Sequence, residues 1–294
     1  MSYHTIFPTA QKATYEPSND IDFKLTFENK KLKANSVRVS GKVKVQVTTG
    51  VPIVSDISWD SLNGAHNLFS RWNTSFESSG FKENITDYPR YHKMKMEAQN
   101  CQEDFQKSSR ACALQTPSNE GVENVFTGMA AADYEVPFSL KPDICINNMS
   151  GDLSFNKKSR SVYIQTRIGT LAEVLFGSLA TANNAITITE LQVNYETVPE
   201  DNKDDPLSMV VLHSVKDVIN TSSANINSKV PAVVVGMSAS FQLVSHEKVY
   251  THNNYATEDP TVSRLQLFWN DMNNNYISFP LESREEILLN YLQS

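Results

Sequence analysis

The chain has 294 residues, 40% of them hydrophobic and 20% charged, and a formal net charge of -7. Those proportions are ordinary for a soluble globular protein and exclude a chain disordered throughout. The acidic balance argues against a protein that coats nucleic acid by charge alone, and no apolar run approaches the ~18 residues of a membrane span.

The length allows one large or two modest domains. Cys101, Cys112 and Cys145 are odd in number and form no C-x-x-C pair, a poor disulfide framework and no zinc site. They read as reduced thiols of a protein made in a reducing compartment. The first twenty residues lack a basic stretch followed by an apolar one, so no secretory signal is expected. Sequons at Asn73, Asn84, Asn148 and Asn220 are then coincidental in an Asn- and Ser-rich chain.

Residues 1–19, with Pro8 and Pro17 and few regularly spaced apolar positions, read as an arm without an element. "IDFKLTF" then places Ile21, Phe23, Leu25 and Phe27 on one face, the period-2 pattern of a half-buried strand. "SVRVSGKVKVQV" alternates without a slip. Val37, Val39, Val43, Val45 and Val47 share a face with Gly41, and Arg38, Lys42 and Lys44 lie on the other. "HNLFSRWNTSF" reads as a strand ended by "SSG". Asp87 and Pro89 suit the start of a helix over "YPRYHKMKMEAQN", with Tyr91, Met94 and Ala98 on one side. Residues 100–133 are polar and aperiodic, too long for a simple connection, so 77–134 is expected to be a partly helical excursion.

Strand signals return in "YEVPFSLKPDICI" and "SVYIQTRI", and "LAEVLFG" reads as a short helix closed by Gly177. In "AITITELQVNYETV" the apolar phase changes between Ile186, Ile188 and Leu191, Val193, Tyr195. One extra residue near Glu190, a β-bulge, reconciles the two. "MVVLHSV", "PAVVVGMSASFQLV", "SRLQLFW" and "YISFPL" are further strand candidates. Ser283 and Glu286 form a capping box for a terminal helix. Ten or eleven strands joined by short turns predict an all-β, antiparallel sandwich.

Motifs for chemistry are weak. There is no G-x-S-x-G, no phosphate-binding loop and no H-E-x-x-H. His246 and His252 lack the spacing of a metal pair. Asp201, Asp204 and Asp205 could supply oxygens to calcium, but Lys203 interrupts them and no glycine shapes the turn, so a solvated acidic turn is the better account. Glu190 and Glu196 are paired carboxylates by sequence, but their spacing on a bulged strand carries no information and a general acid also needs a pocket. The expectation is a protein that is not an enzyme and has no cofactor or metal. Trp59, Trp72 and Trp269 could stack on a sugar in a lectin-like or receptor-binding module, although core packing is their default.

Several passages resemble capsid proteins of the jelly-roll DNA-virus lineage, which includes adenoviruses, tectiviruses, virophages and polinton-like viruses. They include "NSVRVSGKVKV", "GAHNLFSRWNTSFESSGFKENITDYPRYHKMK", "VPFSLKPDICINNMSGDLSFNKKSRSVYIQTRI" and "ITITELQVNYETVP", and the likeness they carry extends over roughly two thirds of the chain. The likeness lies in pattern and order, not in invariant chemistry. It is closest to a penton-like minor capsid protein built on one roll. The alternative is a double jelly-roll major capsid protein, which needs about sixteen strands.

The resemblance implies a virion protein with residues 1–19 as an arm and 20–294 as the jelly-roll domain, the stretch 200–294 adding strands. It implies a homo-pentamer at a vertex, or a trimer if the protein is the major capsid protein, in contact with other capsid proteins. No sequence-specific nucleic acid is implied, and the arm could touch an internal membrane. Lys30, Lys31, Lys33, Arg38, Lys42 and Lys44 are then expected to meet carboxylates of a neighbouring subunit.

Overall fold

The computed structural model describes residues 1–46, 59–60, 63–77, 80–99, 134–154, 160–177, 185–201, 207–212, 214, 216–219, 240–255, 265–270 and 276–281. Twelve strands and two α-helices are found among them. β1 is Ser2–Ile6, β2 Asp20–Thr26, β3 Lys30–Leu32, β4 Arg38–Gln46, β5 Phe69–Phe76 and β6 Lys82–Thr86. Helix α1 (Tyr88–Gln99) follows, then β7 (Tyr134–Leu140), β8 (Leu153–Ser154) and β9 (Ser161–Ile168). Helix α2 (Leu171–Val174), β10 (Ala185–Pro199), β11 (Leu265–Asn270) and β12 (Tyr276–Leu281) complete the set.

Every ladder is antiparallel, and the order is diagnostic. With the short β3 and β8 set aside, one sheet runs β1-β10-β4-β7 and the other β2-β9-β5-β6. The first of these strands therefore pairs with the last, the second with the last but one, the third with β7, and the fourth with the fifth. A long hairpin rolled over on itself gives that nesting, which is the jelly roll. β3 pairs with the last three residues of β10, beyond the end of β4, and β8 pairs with β3. β11 and β12 form a separate two-stranded ladder.

The two inner faces supply the core. β2 alternates without a break, burying Ile21, Phe23 and Leu25 and exposing Asp20, Asp22 and Lys24. β4 buries Val39, Val43 and Val45. Each full burial of such a side chain is worth about 1.5–3 kcal/mol, so the alternation fixes which face turns inward. On β10 the phase change is a bulge. The register with β4 shifts between Thr189 and Gln192, and Glu190 takes φ 52°. Ile186 and Ile188 before it and Leu191, Val193 and Tyr195 after it are all buried. Gly41 lies opposite, where an added Cβ would stand 3.1 Å from the Thr189 carbonyl oxygen and 3.2 Å from Phe138 Cζ.

Some expectations need correction. Residues 1–19 contain β1, paired with β10 from Ser2↔Thr197 to Ile6↔Val193. They also contain Tyr15, buried and bonded through its backbone to Ile188. β1 is an edge strand with one half-buried face, so it needs little of the apolar alternation that announces a strand. The excursion holds β6, a strand whose inward positions are Glu83 and Ile85. α1 forms as expected, with the Asp87 carboxylate on Arg90 Nε at 3.0 Å.

"MVVLHSV" is not a ladder strand in its described part. Met209 makes one isolated bridge to Met149, Leu212 N–H goes to the Glu83 side chain, and Val210 and Val211 stay exposed. In "PAVVVGMSASFQLV", residues 240–243 form no strand, and 231–239 lie outside the described residues. The terminal helix with its capping box, residues 100–133, Cys101, Cys112, and Asp204 and Asp205 also lie outside them. A capping box does occur at α2, where the Glu173 carboxylate accepts Thr170 N–H at 2.6 Å.

Candidate assembly surface

The outer face of the β1-β10-β4-β7 sheet carries most of the cations singled out in the sequence. Arg38, Lys42 and Lys44 line β4. Across the ladders Lys44 faces Glu135 and Thr187, and Arg38 faces Asn194. Lys42 Nζ lies 2.7 Å from Glu190 and 3.6 Å from Glu135, and its pKa is raised chiefly by the bond to Glu190. Lys33 reaches Glu196 at 2.5 Å. With Tyr3 it holds that carboxyl below its usual range, while Glu196 in turn raises the Tyr3 phenol. Asn194 Nδ2 donates to Ser40 Oγ at 3.0 Å and Thr5 Oγ1 to Asn194 Oδ1 at 2.7 Å, which completes a polar lattice over the sheet.

Lys30 and Lys31 lie apart, on β3. Lys30 Nζ donates to Ser2 Oγ at 3.3 Å. Lys31 is buried and ion-paired with Asp201. The bulge that re-phases β10 thus also aims Glu190 at Lys42. The carboxylates opposite Lys31, Lys33 and Lys42 belong to the same chain, which explains how an acidic protein backs an apolar ribbon with cations.

The residues with the strongest electrostatic perturbation lie elsewhere, and no sequence motif marks them. A one-turn 3₁₀ helix at Gly64–Leu68 and α1 bring His66 and His92 face to face, ring centroids 3.7 Å apart and both buried. His66 Nδ1 is 2.7 Å from the Tyr88 hydroxyl, which also accepts Asp143 N–H at 3.1 Å. Asn63 Nδ2 donates to Asn67 Oδ1, and Asn67 Nδ2 donates to the Val174 carbonyl. Asn63 Oδ1 therefore faces His92 Nδ1 at 3.0 Å as an acceptor, which assigns the proton to His92 Nδ1. His92 Nε2 is left 3.9 Å from Asp143 Oδ2, and that carboxylate is held by Lys95 at 2.5 Å.

Burial lowers His92 to about 4, and burial followed by His92 and Lys95 puts His66 well below its ordinary value. Beside them Asp60, almost wholly buried, binds Lys93 and Asn253 Nδ2, each at 2.6 Å. Farther along, burial raises Glu83, and burial with Glu83 pushes the Cys145 thiol up. Such a thiol is inert as a nucleophile.

The cluster ties α1 and residues 253–254 to the roll, and its imidazoles are closed to solvent. His246 and His252 stack at 3.8 Å, and no group of three or more metal-ligating side chains occurs among the described residues. Trp59 and Trp72 have no exposed surface, so neither is a sugar platform; the side chain of Trp269 lies outside the described residues. No helix among the described residues is long and apolar enough to cross a membrane.

Strand order places the chain among antiparallel jelly-roll β-sandwich proteins. No protein-family model and no curated protein matches it. Among solved structures it is similar to the mavirus major capsid protein, at 10% identity and a TM-score of 0.42, over 69% of this chain and 48% of that one. It is similar to a chain of the Sputnik virophage particle at 12% identity and a TM-score of 0.43, over 70% and 49%. A third is the STIV major capsid protein, at 13% identity and a TM-score of 0.36, over 67% and 49%. The chain spans about half the length of these solved chains.

Proposed function

We propose that this protein is a structural subunit of an icosahedral viral capsid, and within that class a vertex, penton-like protein. The observation that carries the reading is the strand order: one complete roll, β1 to β10, closes by residue 199. A roll buries both sheets against each other and presents blunt side walls, a shape suited to lateral packing. This single roll takes in all the named strands but β11 and β12, which form the one further ladder among the described residues. The passages that resemble the capsid lineage cover β4 to α1 and β7 to β10, which are roll strands and their connections. Copies would associate head to tail, since only a closing heterologous contact makes a five-membered ring.

The lysine face enters this reading in modified form. Lys31, Lys33 and Lys42 already hold carboxylates of their own chain. A neighbour would meet a neutralised, hydrogen-bonding surface with Arg38 as its exposed cation. Light scattering of the concentrated protein, with electron imaging, tests the assignment. Five-fold rings support the vertex role. Trimers of pseudo-hexagonal outline would move the chain to the major capsid class, and monomers at every concentration would sink both.

A further inference from the structure

The two roll sheets have four long edges, and three are defended against a further strand. β2 turns Asp20, Asp22 and Lys24 outward, and its Asp22 carbonyl already accepts Thr9 N–H at 2.8 Å. β6 is flanked by residues 207–212 and 214, through Leu212 N–H to Glu83 and Thr86 to Ser214. β7 carries Pro137, which has no N–H to offer. Charge, cover and proline are the usual devices that keep sheet edges from pairing.

Among the described residues β1 has none of them. Its sequence is Ser-Tyr-His-Thr-Ile, without a proline or a carboxylate, and burial lowers the pKa of His4, which favours its neutral form. His4 stacks on Tyr195 and bonds Thr197 at 2.8 Å, so its side chain is spent within the chain. Among the described residues no strand borders the far edge of β1. Met1, Tyr3 and Phe7, at alternate positions on the outer face, are 69%, 76% and 54% exposed.

We infer that β1 is a pairing edge and that its partner is β1 of a second copy, joined antiparallel about a dyad at His4. The other three roll edges of that second copy are closed to it, whereas its β1 is complementary. Register about His4 sets Met1 opposite Phe7 of the second copy, apolar against apolar, and Tyr3 opposite Thr5, with no like charges facing. An isologous contact of this kind joins two subunits and stops. It is independent of the capsid reading, which needs a ring-closing contact on another surface.

Thr5 tests it, because its side chain is exposed and its bond among the described residues is the surface one to Asn194. In that register the two Thr5 side chains are diagonal neighbours on one face, about 7–8 Å apart, so the long side chains of Thr5→Lys and Thr5→Glu each bring like charges near one another across the dyad. In sedimentation equilibrium each variant alone should show a dimer dissociation constant raised about two- to fivefold. An equimolar mixture of the two should recover the wild-type value. That recovery cannot come from a damaged fold, and unchanged thermal unfolding of each variant checks the fold directly. A wild-type chain monomeric at its highest soluble concentration overturns the inference. So does a dimer indifferent to both substitutions, or a mixture no tighter than its components. Rings that persist in Thr5→Lys while its dyad contact is unchanged would leave the vertex reading standing and remove this one.

Discussion

The outer face of the β4–β10 ladder and the cluster beneath α1 are built from the same ingredients, lysines against carboxylates with amide side chains between them. Solvent separates them. Lys42 and Glu190 stand in water, where an ion pair is screened and costs side-chain entropy to hold, so such pairs contribute little. Lys93 and Asp60 are sealed, the lysine side chain 12% exposed and the aspartate 1%. There each charge depends on the other, because a buried ion left alone is expensive. The surface lattice is therefore tolerant and free to vary with whatever it touches, and the interior cluster is not.

Four substitutions or conditions would break or sharpen that contrast. The largest effect belongs to Asp60→Ala, which leaves Lys93 and Asn253 facing a vacated site. About 3–5 kcal/mol of stability should be lost, read from urea unfolding followed by tryptophan fluorescence. A loss under 1 kcal/mol would mean that water reaches the cluster.

Acid comes next. His92 has a folded pKa of about 4 against an ordinary 6.5, so below pH 6.5 the unfolded chain binds the proton that the folded one refuses. Stability contributed by the neutral ring is whole above pH 6.5 and declines as pH falls towards 4, by roughly 3 kcal/mol for this group alone. His92→Gln should flatten that part of the pH profile. An equally steep profile in the variant would assign the acid sensitivity to other groups.

Gly41→Ala should cost about 1–3 kcal/mol, because the new methyl meets the Thr189 carbonyl and the Phe138 ring at a well-packed bulge. Differential scanning calorimetry would show the lowered midpoint, and an unchanged one would mean that the bulge gives way. The smallest effect is that of Lys42→Ala, for which the unfolding midpoint should match wild type at physiological salt. A clear drop would show that the outer lattice contributes to stability after all.

Much of the roll was legible because its strands obey period two. β2, β4, β9 and the re-phased β10 announce themselves through Ile21, Val39, Ile164 and Val193, and the bulge could be placed at Glu190 from the phase change alone. β6 was missed because one of its two inward residues is Glu83, a carboxylate satisfied by Cys145 N–H at 2.8 Å and by Leu212. That solution cannot be seen along the strand. "MVVLHSV" misled in the opposite sense, as its apolar content serves local contacts without a ladder. Of the candidate surface, the cationic face was readable from β4, but its partners Glu190 and Glu196 arrive from β10, far along the chain. His66 and His92 sit on different elements, and only packing brings their rings together.

Closing β1 against β10 has a consequence for how the molecule is made. Ser2 leaves the ribosome long before its partner Thr197, which is synthesised only when the roll is nearly complete. The opening segment must therefore wait, extended and unmatched, until the final strand arrives, and contacts of such long sequence separation slow folding. Meanwhile it is available to any other strand in a crowded translation compartment. The last step of closure is thus the one most exposed to error, and any change that removes or blocks β1 acts directly on it.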